Sequence, residues 1–258
     1  KSLFTFRNIC AILMPMKSYL AIDIGGTNMR AASYPEDGQD ALKYNRISTR
    51  SEGMNIEDRL IHLIETICPE DAEPCAVGIA CPGPLDSDNG IVIQPPNIPE
   101  WEYFPLEEFL EDKLSLPVVI EKDANLAAFG EWQHGAGQGY HHMIYLTIST
   151  GVGGGIIIND QLLLGSHGFA GEIGHITVSP KGPACSCGRK GHLEAYSSGP
   201  SIVRWVSSQL EDEKLQDIFP AEELTAKVLQ EAADHGNQLA RAAFERAGRY
   251  IGLVLADL

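Results

Sequence analysis

The sequence predicts an α/β protein built from two related halves. A strand, a glycine-rich turn and a returning strand occupy Asp23–Tyr34, and the same arrangement recurs at Met143–Asn159. Apolar runs of strand length alternate with helical patterns around both hairpins. The 258 residues suffice for one or two domains, since a domain usually takes roughly 100–200 residues. Two such hairpins, each beginning its own half, arise by chance far less often than one, so we predict duplicated halves.

Charge and composition limit the classes of partner. The net charge of -16 argues against nucleic acid and anionic membranes, because both reward clustered Lys and Arg. A nucleotide can still bind through backbone amides and a metal. No apolar run approaches the ~20 residues that span a bilayer. The six cysteines show no disulfide-framework spacing, which predicts reduced thiols and a cytoplasmic protein.

Residues 1–15 are basic and apolar, with Ile9–Met14 placed like the apolar core of a short signal peptide. No A-x-A-like cleavage site follows. We therefore expect an N-terminal extension without a structural role and a fold that begins at Met16. The predicted domains are this extension, an N-terminal α/β lobe over 16–122 and a C-terminal α/β lobe over 123–258.

The first hairpin joins predicted strands Tyr19–Ile24 and Met29–Tyr34, and Leu42–Ser48 is predicted as a third strand. Its turn carries Asp23, Gly25, Gly26, Thr27 and Asn28. Two adjacent glycines let backbone N–H groups approach a phosphate, Thr27 and Asn28 add donors, and Asp23 can hold magnesium through water. An ordinary hairpin with a Gly-Gly turn explains this hexapeptide equally well.

The rest of the first half supplies packing elements and two proline-rich loops. A helix is predicted over Asn55–Cys68, with apolar residues on one face and Asn55 placed to cap it. Further strands are predicted at Cys75–Cys81 and Ile91–Gln94. In the loop that follows, Asn97 and Trp101 could face a sugar, although composition favours a core position for Trp101.

Asp123 lies where a strand ends and a helix begins. The order is a helix at Pro105–Leu114, a strand at Pro117–Ile120 and an Ala-rich helix at Asp123–Trp132. One interpretation is an N-cap worth ~1 kcal/mol. The other is a carboxylate at the carboxyl end of a strand, where α/β sheets bind ligands.

The second half opens with its own hairpin and continues into helices. Strand Met143–Ser149 leads into a turn, Thr150–Gly155, and a returning strand, Ile156–Asn159. With the first hairpin, this suggests halves that close on a nucleotide from both sides. Helices are predicted at Pro200–Leu210, Ala221–His235 and Gln238–Leu258. The last helix places these residues on one apolar face: Ala240, Ala243, Phe244, Ala247, Ile251, Val254 and Leu255.

The stretch Gly171–Glu194 carries a candidate metal site. Two imidazoles and two thiols, at His175, Cys185, Cys187 and His192, form the donor set of a closed tetrahedral zinc site. Unmetallated thiols in a flexible loop are the alternative, which four donors at these spacings disfavour. Glu172 and Glu194 lie beside the donors. In an extended segment, residues two apart point to opposite faces, so His192 and Glu194 are expected to face apart.

The order of these motifs resembles the ROK family (repressors, open reading frames and kinases), particularly its bacterial glucokinase-like sugar kinases. The resemblance runs from Tyr19 to Leu258. The motifs that carry it are Asp23-Ile-Gly-Gly-Thr27, Pro82-Gly83-Pro84, Asn97 with Trp101, Glu121-Lys-Asp-Ala-Asn125, Ser149-Thr-Gly-Val-Gly-Gly-Gly155, Gly171-Glu-Ile-Gly-His175 and Cys185-Ser-Cys-Gly-Arg-Lys-Gly-His-Leu-Glu194.

The resemblance implies a two-lobed actin/hexokinase-type (ribonuclease H-like) α/β fold with sugar and ATP in the cleft. It makes Asp123 the general base for a primary sugar hydroxyl. Phosphate and magnesium would be held by Asp23, Gly25, Gly26, Thr27, Asn28, Thr150, Gly151, Gly153 and Gly154. The sugar would be bound by Gly83, Asn97, Asn125, Glu172, His175 and Glu194. His175 could bind a structural zinc through one ring nitrogen and offer the other to a hydroxyl.

The activity so implied is ATP-dependent phosphorylation of a hexose, with glucose to glucose 6-phosphate expected first. N-acetylglucosamine, N-acetylmannosamine and fructose are alternatives, and the family commonly forms homodimers. A sugar-sensing repressor is the alternative of a different class. Residues 1–15 show no helix-turn-helix pattern, and the acidic charge disfavours DNA.

Three departures from the family pattern are visible. His192 stands where the family usually has a third zinc-binding Cys, and Lys122 stands where it usually has a sugar-binding Asn. The family's later Gly-rich segment, which contacts adenosine, does not appear before Leu258. We therefore expect a C-terminally truncated chain with poor activity.

Overall fold

A computed structural model describes residues 16–38, 40–210, 219 and 224–258. The chain divides into two compact units, Lys1–Asp123 and Ala124–Leu258. The predicted extension over residues 1–15 lies outside the described residues.

The first unit is built on a five-stranded mixed sheet. Its strands are β1 (Met16–Ile24), β2 (Asn28–Pro35), β3 (Lys43–Ser48), β4 (Ala72–Cys81) and β7 (Val118–Lys122). Their order in the sheet is β3-β2-β1-β4-β7. The first three are antiparallel, whereas β4 pairs in parallel with both β1 and β7. The carboxyl ends of β1, β4 and β7 therefore meet at one edge of the sheet, which is where ligands bind in such sheets.

Two helices, α1 (Ile56–Ile67) and α2 (Leu106–Leu114), complete the first unit. The predicted cap is confirmed, since the Asn55 side chain accepts a hydrogen bond from the Asp58 amide. The predicted apolar face of α1 is buried in the core of this unit. Trp101 also belongs to that core: it is fully buried and its Nε1 donates to Glu57.

A two-stranded ribbon of β5 (Leu85–Asp86) and β6 (Ile91–Val92) follows β4. The prediction of a strand over Ile91–Gln94 was too long, because Pro95 and Pro96 follow directly and lack the N–H that a ladder needs.

Helix α3 (Asp123–His134) begins at the last residue of the first unit and otherwise belongs to the second. An antiparallel sheet of β8 (His142–Ile148), β9 (Val152–Ile158) and β10 (Gln161–Leu162) follows. The predicted second hairpin was wrong in detail, because Gly153–Gly155 belong to the returning strand and not to the turn. Close packing is the physical reason. A Cβ on Gly155 would lie 2.5 Å from the Cβ of Ala128, and one on Gly153 would lie 3.1 Å from that of Ala124.

A 3₁₀ turn (Ile173–His175) precedes four helices: α4 (Glu194–Ser197), α5 (Gly199–Gln209), α6 (Ala226–Asp234) and α7 (Gln238–Asp257). The helix predicted from Ala221 starts within residues that are not described. The predicted face of α7 buries four positions, Ala240, Ala243, Ala247 and Val254. Leu255 was wrongly included, since 40% of it is exposed. Among the described residues, no helix is long and apolar enough to cross a bilayer.

Candidate active site and metal centre

The turn of the first hairpin is tight. The Gly25 amide donates to the Asn28 carbonyl at 3.0 Å, and Asn28 begins β2. A Cβ on Gly26 would clash with the side chain of Asn97, so only glycine lets the Asn97 loop lie against this turn. Asp23 pairs with Arg30 on the neighbouring strand, with Oδ2 3.0 Å from Nη1. Thr27 is exposed.

Thr49 and Arg50 hold this turn by its carbonyl oxygens. The Thr49 hydroxyl donates to the Gly25 carbonyl at 2.5 Å and its amide donates to Thr27. Arg50 donates to the carbonyls of Gly26 and Asn97, both at 3.0 Å. The same guanidinium forms a bidentate pair with Glu100. Arg50 therefore joins the glycine turn to the Asn97 loop.

Sequence reasoning missed Arg50 because nothing in its immediate surroundings marks it. It lies just beyond the end of β3, and its partners are 24 and 47 residues away along the chain. Only the folded sheet brings them together.

Gly83 and Lys122 lie side by side in the first unit. The Gly83–Pro84 peptide is cis, and a Cβ on Gly83 would be 3.6 Å from Cδ of Lys122. Lys122 is only 5% exposed. Two positions that the sequence singled out separately are therefore neighbours.

Asp123 follows β7 directly and opens α3, as predicted. The residue is exposed at the carboxyl end of a parallel strand. Burial, with a further contribution from the charge of Asp123, raises the pKa of the neighbouring Cys81 thiol to about 12. Cys81 is thus a neutral thiol at physiological pH and adds no second negative charge beside Asp123.

The second hairpin turns at Thr150 and Gly151, where the Ser149 amide donates to the Gly151 carbonyl at 2.9 Å. The glycines beyond the turn make room for neighbouring elements. A Cβ on Gly154 would lie 2.6 Å from Cδ1 of Ile173. Close packing is therefore one role of Gly153 and Gly154, beside the phosphate role that the sequence suggests.

A cavity of about 700 Å³ opens beside Thr150 in the second unit. Its wall includes the apolar side chains of Ile148, Ile202 and Phe244, with two cationic residues, Arg204 and Lys227. An apolar cavity with a few charged groups is the usual form of a small-molecule site.

The four predicted zinc donors come together. The ligand atoms of His175, Cys185, Cys187 and His192 all lie within 4.8 Å of one another. The loop that carries the cysteines folds on itself, since the Cys185 amide donates to Arg189 and the Gly188 amide donates to Cys185. Thr177 and His192 pair as an isolated bridge, which brings both histidines to the loop.

The distances between donors fit a tetrahedral zinc ion. With Zn–S of ~2.3 Å and Zn–N of ~2.0 Å, tetrahedral angles separate two nitrogens by ~3.3 Å and a nitrogen from a sulfur by ~3.6 Å. The Nδ1 atoms of His175 and His192 are 3.3 Å apart. Cys185 Sγ is 3.7 Å from His175 Nδ1, and Cys187 Sγ is 3.3 Å from His192 Nδ1. The residues present therefore fit zinc.

The Glu194 carboxylate is contacted by two residues of this loop and by one backbone amide of β9. Ser186 Oγ donates to its Oε1 at 2.6 Å, Cys185 Sγ lies 3.4 Å from the same oxygen, and the Val152 amide donates to Oε2 at 3.1 Å. Burial opposes ionisation, but these hydrogen bonds outweigh it and lower the pKa of Glu194.

The predicted extended path from His192 to Glu194 was wrong. Leu193 adopts helical backbone angles and Glu194 opens α4, so the alternation of a strand does not apply. The Glu194 carboxylate consequently lies next to Cys185 and not on the opposite face.

The remaining sugar-site candidates of the second unit lie on two elements. Asn125 is fully buried in α3. Glu172 is half-buried and precedes the 3₁₀ turn, where its carbonyl accepts the His175 amide at 3.0 Å. A Cβ on Gly171 would lie 3.5 Å from Oδ1 of Asn125, so these two candidates are close neighbours.

Comparisons with known proteins give a consistent result. The family model described as "ROK family" matches residues 19–258. The chain is 36% identical over 250 residues to a glucokinase of Halalkalibacterium halodurans, covering 93% of this chain and 76% of that protein. It is 33% identical over 239 residues to an N-acetylmannosamine kinase of Escherichia coli, covering 93% of this chain and 77% of that protein.

A solved structure is also similar. The ROK family glucokinase of Streptomyces griseus in complex with glucose and AMPPNP superposes with a TM-score of 0.74 at 35% identity, covering 93% of this chain and 78% of that chain. The predicted actin/hexokinase-type α/β fold is confirmed by this similarity.

Proposed function

The chain belongs to the ROK family, and from this premise we propose that it transfers the γ-phosphoryl group of ATP to the primary hydroxyl of a hexose, with glucose as its first substrate. Its similarity to glucokinases supports the broader assignment, an ATP-dependent sugar kinase. The observation that carries the proposal is the position of Asp123, exposed at the carboxyl end of β7 and at the start of α3.

Asp123 is proposed as the general base. A carboxylate within hydrogen-bond reach of a hydroxyl can accept its proton as the oxygen attacks phosphorus, a contribution of roughly 10²- to 10⁴-fold. Phosphoryl transfer otherwise needs positioning and charge stabilisation more than covalent help. The neutral Cys81 thiol is compatible with this role, because it adds no second negative charge beside the base.

The sugar is proposed to bind Glu172, His175, Glu194 and Asn125 in the second unit, with Gly83 and Asn97 as contacts from the first. With His175 Nδ1 directed at the metal cluster, its Nε2 remains to meet a hydroxyl. Glu194 supports this assignment, because the Ser186 hydroxyl and the Val152 amide hold its carboxylate in one orientation.

ATP is proposed to bind at both glycine turns. Gly25, Gly26, Thr27 and Asn28 would contact phosphates from the first hairpin, and Thr150, Gly151, Gly153 and Gly154 from the second. The cavity beside Thr150 would take the adenosine against its apolar wall, with Lys227 near the phosphates. Magnesium would neutralise phosphate charge when bound. Asp23 would hold it through water, while its Oδ2 pairs with Arg30.

Zinc is proposed as a structural ion held by His175, Cys185, Cys187 and His192. Four protein ligands close the tetrahedron, which is the arrangement of structural and not of catalytic zinc. The ion would fix the ring of His175, which is itself a proposed sugar ligand. It would also fix the loop that carries Ser186, which donates a hydrogen bond to the proposed sugar ligand Glu194.

An N-acetylmannosamine kinase is the second candidate, favoured by the relative from Escherichia coli. Lys122 bears on this choice, because it is buried beside Asp123 at the position where the family usually has a sugar-binding Asn. A lysine ammonium group donates hydrogen bonds but accepts none, so it cannot accept one from a sugar hydroxyl as the Asn carbonyl can. A panel of glucose, mannose, fructose, N-acetylglucosamine and N-acetylmannosamine in a coupled ADP-release assay distinguishes the candidates. We expect the highest kcat/KM with glucose.

The test of the whole proposal is Asp123→Asn in the full-length gene product. We expect kcat to fall roughly 10²- to 10⁴-fold while the glucose Kd changes less than about threefold, as measured by calorimetry. The matched control is Asp112→Asn, which removes an exposed carboxylate on α2. Turnover that survives in Asp123→Asn, or a wild type that phosphorylates none of these sugars, would refute the proposal. Sedimentation of the same protein tests the predicted homodimer.

A further inference from the structure

A second cavity of the second unit, about 560 Å³ in volume, shares one lining residue, Arg204, with the cavity beside Thr150. It is bounded by α5, α7 and the loop that carries Cys185 and Cys187, termed the metal-binding loop. Ser186 comes from the loop, Arg204 and Trp205 come from α5, and Arg246 comes from α7. Its volume falls within the ~300–1,000 Å³ typical of small-molecule sites.

The charge of this cavity is opposite to that of the chain. Acidic residues outnumber basic ones by 35 to 19 in the sequence, yet two arginines and no carboxylate line the cavity. Within the described part of the chain, neither guanidinium forms an ion pair. Arg204 donates to the hydroxyl of Ser201, another lining residue, at 2.8 Å. Two cations without an acidic partner attract an anion.

Arg246 is held in place by three aromatic rings. Its guanidinium carbon lies 4.6 Å from the centroid of Tyr196, and 5.5 Å from those of Trp205 and Tyr250. Stacking on rings engages the face of a guanidinium, so the N–H groups at its edge stay available for hydrogen bonds. Burial lowers the pKa of Arg246, although arginine remains charged at every physiological pH. A charged, partly desolvated and fixed fork is suited to bidentate binding of phosphate.

The wall of the cavity is joined to Glu194. Ser186 donates to the Glu194 carboxylate at 2.6 Å, and Ser201 donates to its backbone carbonyl at 2.8 Å. A ligand that moves either serine would therefore shift a side chain proposed to bind sugar.

We propose that this cavity binds a small phosphate-bearing molecule, with the phosphate on Arg246 and Arg204 and an organic body against Trp205. A phosphorylated hexose has this chemistry: its phosphate matches the two arginines and its ring can stack on an indole. Occupancy then changes the affinity for the sugar substrate through Ser186 and Glu194. This last step rests on the proposed function, whereas the binding of the anion does not.

The test of binding is calorimetry on the zinc-loaded protein, without ATP, using inorganic phosphate and glucose 6-phosphate as separate probes. We expect Arg246→Gln to weaken binding of both at least tenfold. Arg249→Gln, an exposed arginine three residues further along α7, should change either Kd less than twofold. Arg246→Lys keeps the charge and should retain intermediate affinity, and unchanged circular dichroism verifies folding. Should Arg246→Gln fail to fold, Ser208→Asp replaces it with the same expectation, because it adds a carboxylate at an exposed position of the cavity wall.

Equal weakening by Arg246→Gln and Arg249→Gln, or no saturable binding by the wild type, overturns the site. If phosphate binds as tightly as glucose 6-phosphate, the site recognises the anion alone and the role of Trp205 is refuted. The coupling is tested by the glucose Kd with and without phosphate, which should differ at least threefold in the wild type and be equal in Arg246→Gln. Loss of turnover in the sugar panel with this binding intact would refute the kinase proposal and leave the anion site standing.

Discussion

The two glycine hairpins look alike in sequence but are supported by opposite chemistry. The first turn is held by donors that bond its carbonyl oxygens, from Thr49 and Arg50. The second turn is held by an acceptor, because Glu194 takes the Val152 amide and lies close to Gly151. A phosphate also binds amide hydrogens, so it competes with Glu194 only at the second turn. At the first turn, Thr49 and Arg50 bond carbonyl oxygens, so they do not compete with a phosphate for its amide hydrogens.

The packing around the hairpins differs as well. Gly26 lets one loop residue, Asn97, approach the first turn. The glycines of the second hairpin accommodate a whole helix, α3, and the segment around Ile173. The first hairpin is thus held in shape by hydrogen bonds near the surface. The second depends on close packing and on the segment that carries Cys185, Cys187 and Glu194. The following four predictions test this contrast.

Removal of zinc should separate the hairpins most clearly. Chelation should speed amide hydrogen exchange across residues 142–158 and leave residues 16–35 unchanged, because Glu194, which follows the ligand candidate His192, accepts a hydrogen bond from the Val152 amide of the second hairpin. We expect the unfolding midpoint to fall by roughly 5–10 °C and the glucose KM to rise before kcat changes. A variant with Cys185→Ser and Cys187→Ser is the control and should no longer respond to the chelator. A fall in kcat alone, with folding and KM unchanged, would show that zinc acts in the chemical step.

Gly174→Ala tests the packing of the second hairpin directly. A Cβ there would overlap the carbonyl oxygen of Val152, a backbone atom that cannot turn aside. We expect a loss of about 2–4 kcal/mol in the free energy of unfolding, measured by denaturant titration. Gly248→Ala is the matched control in α7, where a Cβ meets nothing within 4 Å. It should stabilise by ~0.5–1 kcal/mol. Equal effects of the two substitutions would contradict the packing argument.

Arg50→Gln tests the first hairpin. Loss of its bonds to the Gly26 and Asn97 carbonyls should raise the KM for ATP roughly 3- to 10-fold, with kcat within twofold and the thermal midpoint little changed. Arg46→Gln, an exposed arginine of β3, is the control. Arg50→Lys keeps a charge for Glu100 but not the fork, so it should restore only part of the affinity. A KM equal to that of the wild type would show that the turn holds its shape without Arg50.

The Arg50–Glu100 pair should give the smallest effect, visible only as a dependence on pH. The hydrogen bond from Arg50 lowers the pKa of Glu100 below its usual 4.5. A lowered folded pKa stabilises above the unfolded pKa, and this stabilisation is lost as pH falls through the folded value. The difference in thermal midpoint between wild type and Glu100→Gln should therefore be present at pH 7 and disappear between about pH 4.5 and pH 3. A difference that persists at pH 3 would mean that the pair does not carry it.

Local patterns predicted much of this protein. The apolar face and Asn55 cap of α1, the start of α3 at Asp123 and the cluster of two histidines and two cysteines are all visible in the sequence, because periodicity, capping and ligand spacing act between near neighbours. The glycine run 153–155 misled the prediction, since glycine marks both turns and close packing. The same local rules placed Leu255 on the buried face, yet only the packed helix shows that this position faces outward.

The amino-acid sequence alone therefore specifies which chemical groups occur and in which local element each of them lies. The tertiary structure decided which of them meet. Arg50 reaches Asn97 across 47 residues, Glu194 reaches Val152 across 42, and Arg246 stacks on Tyr196 and Trp205, which belong to two other helices. None of these contacts follows from local spacing, because each depends on how strands and helices of distant sequence pack against one another.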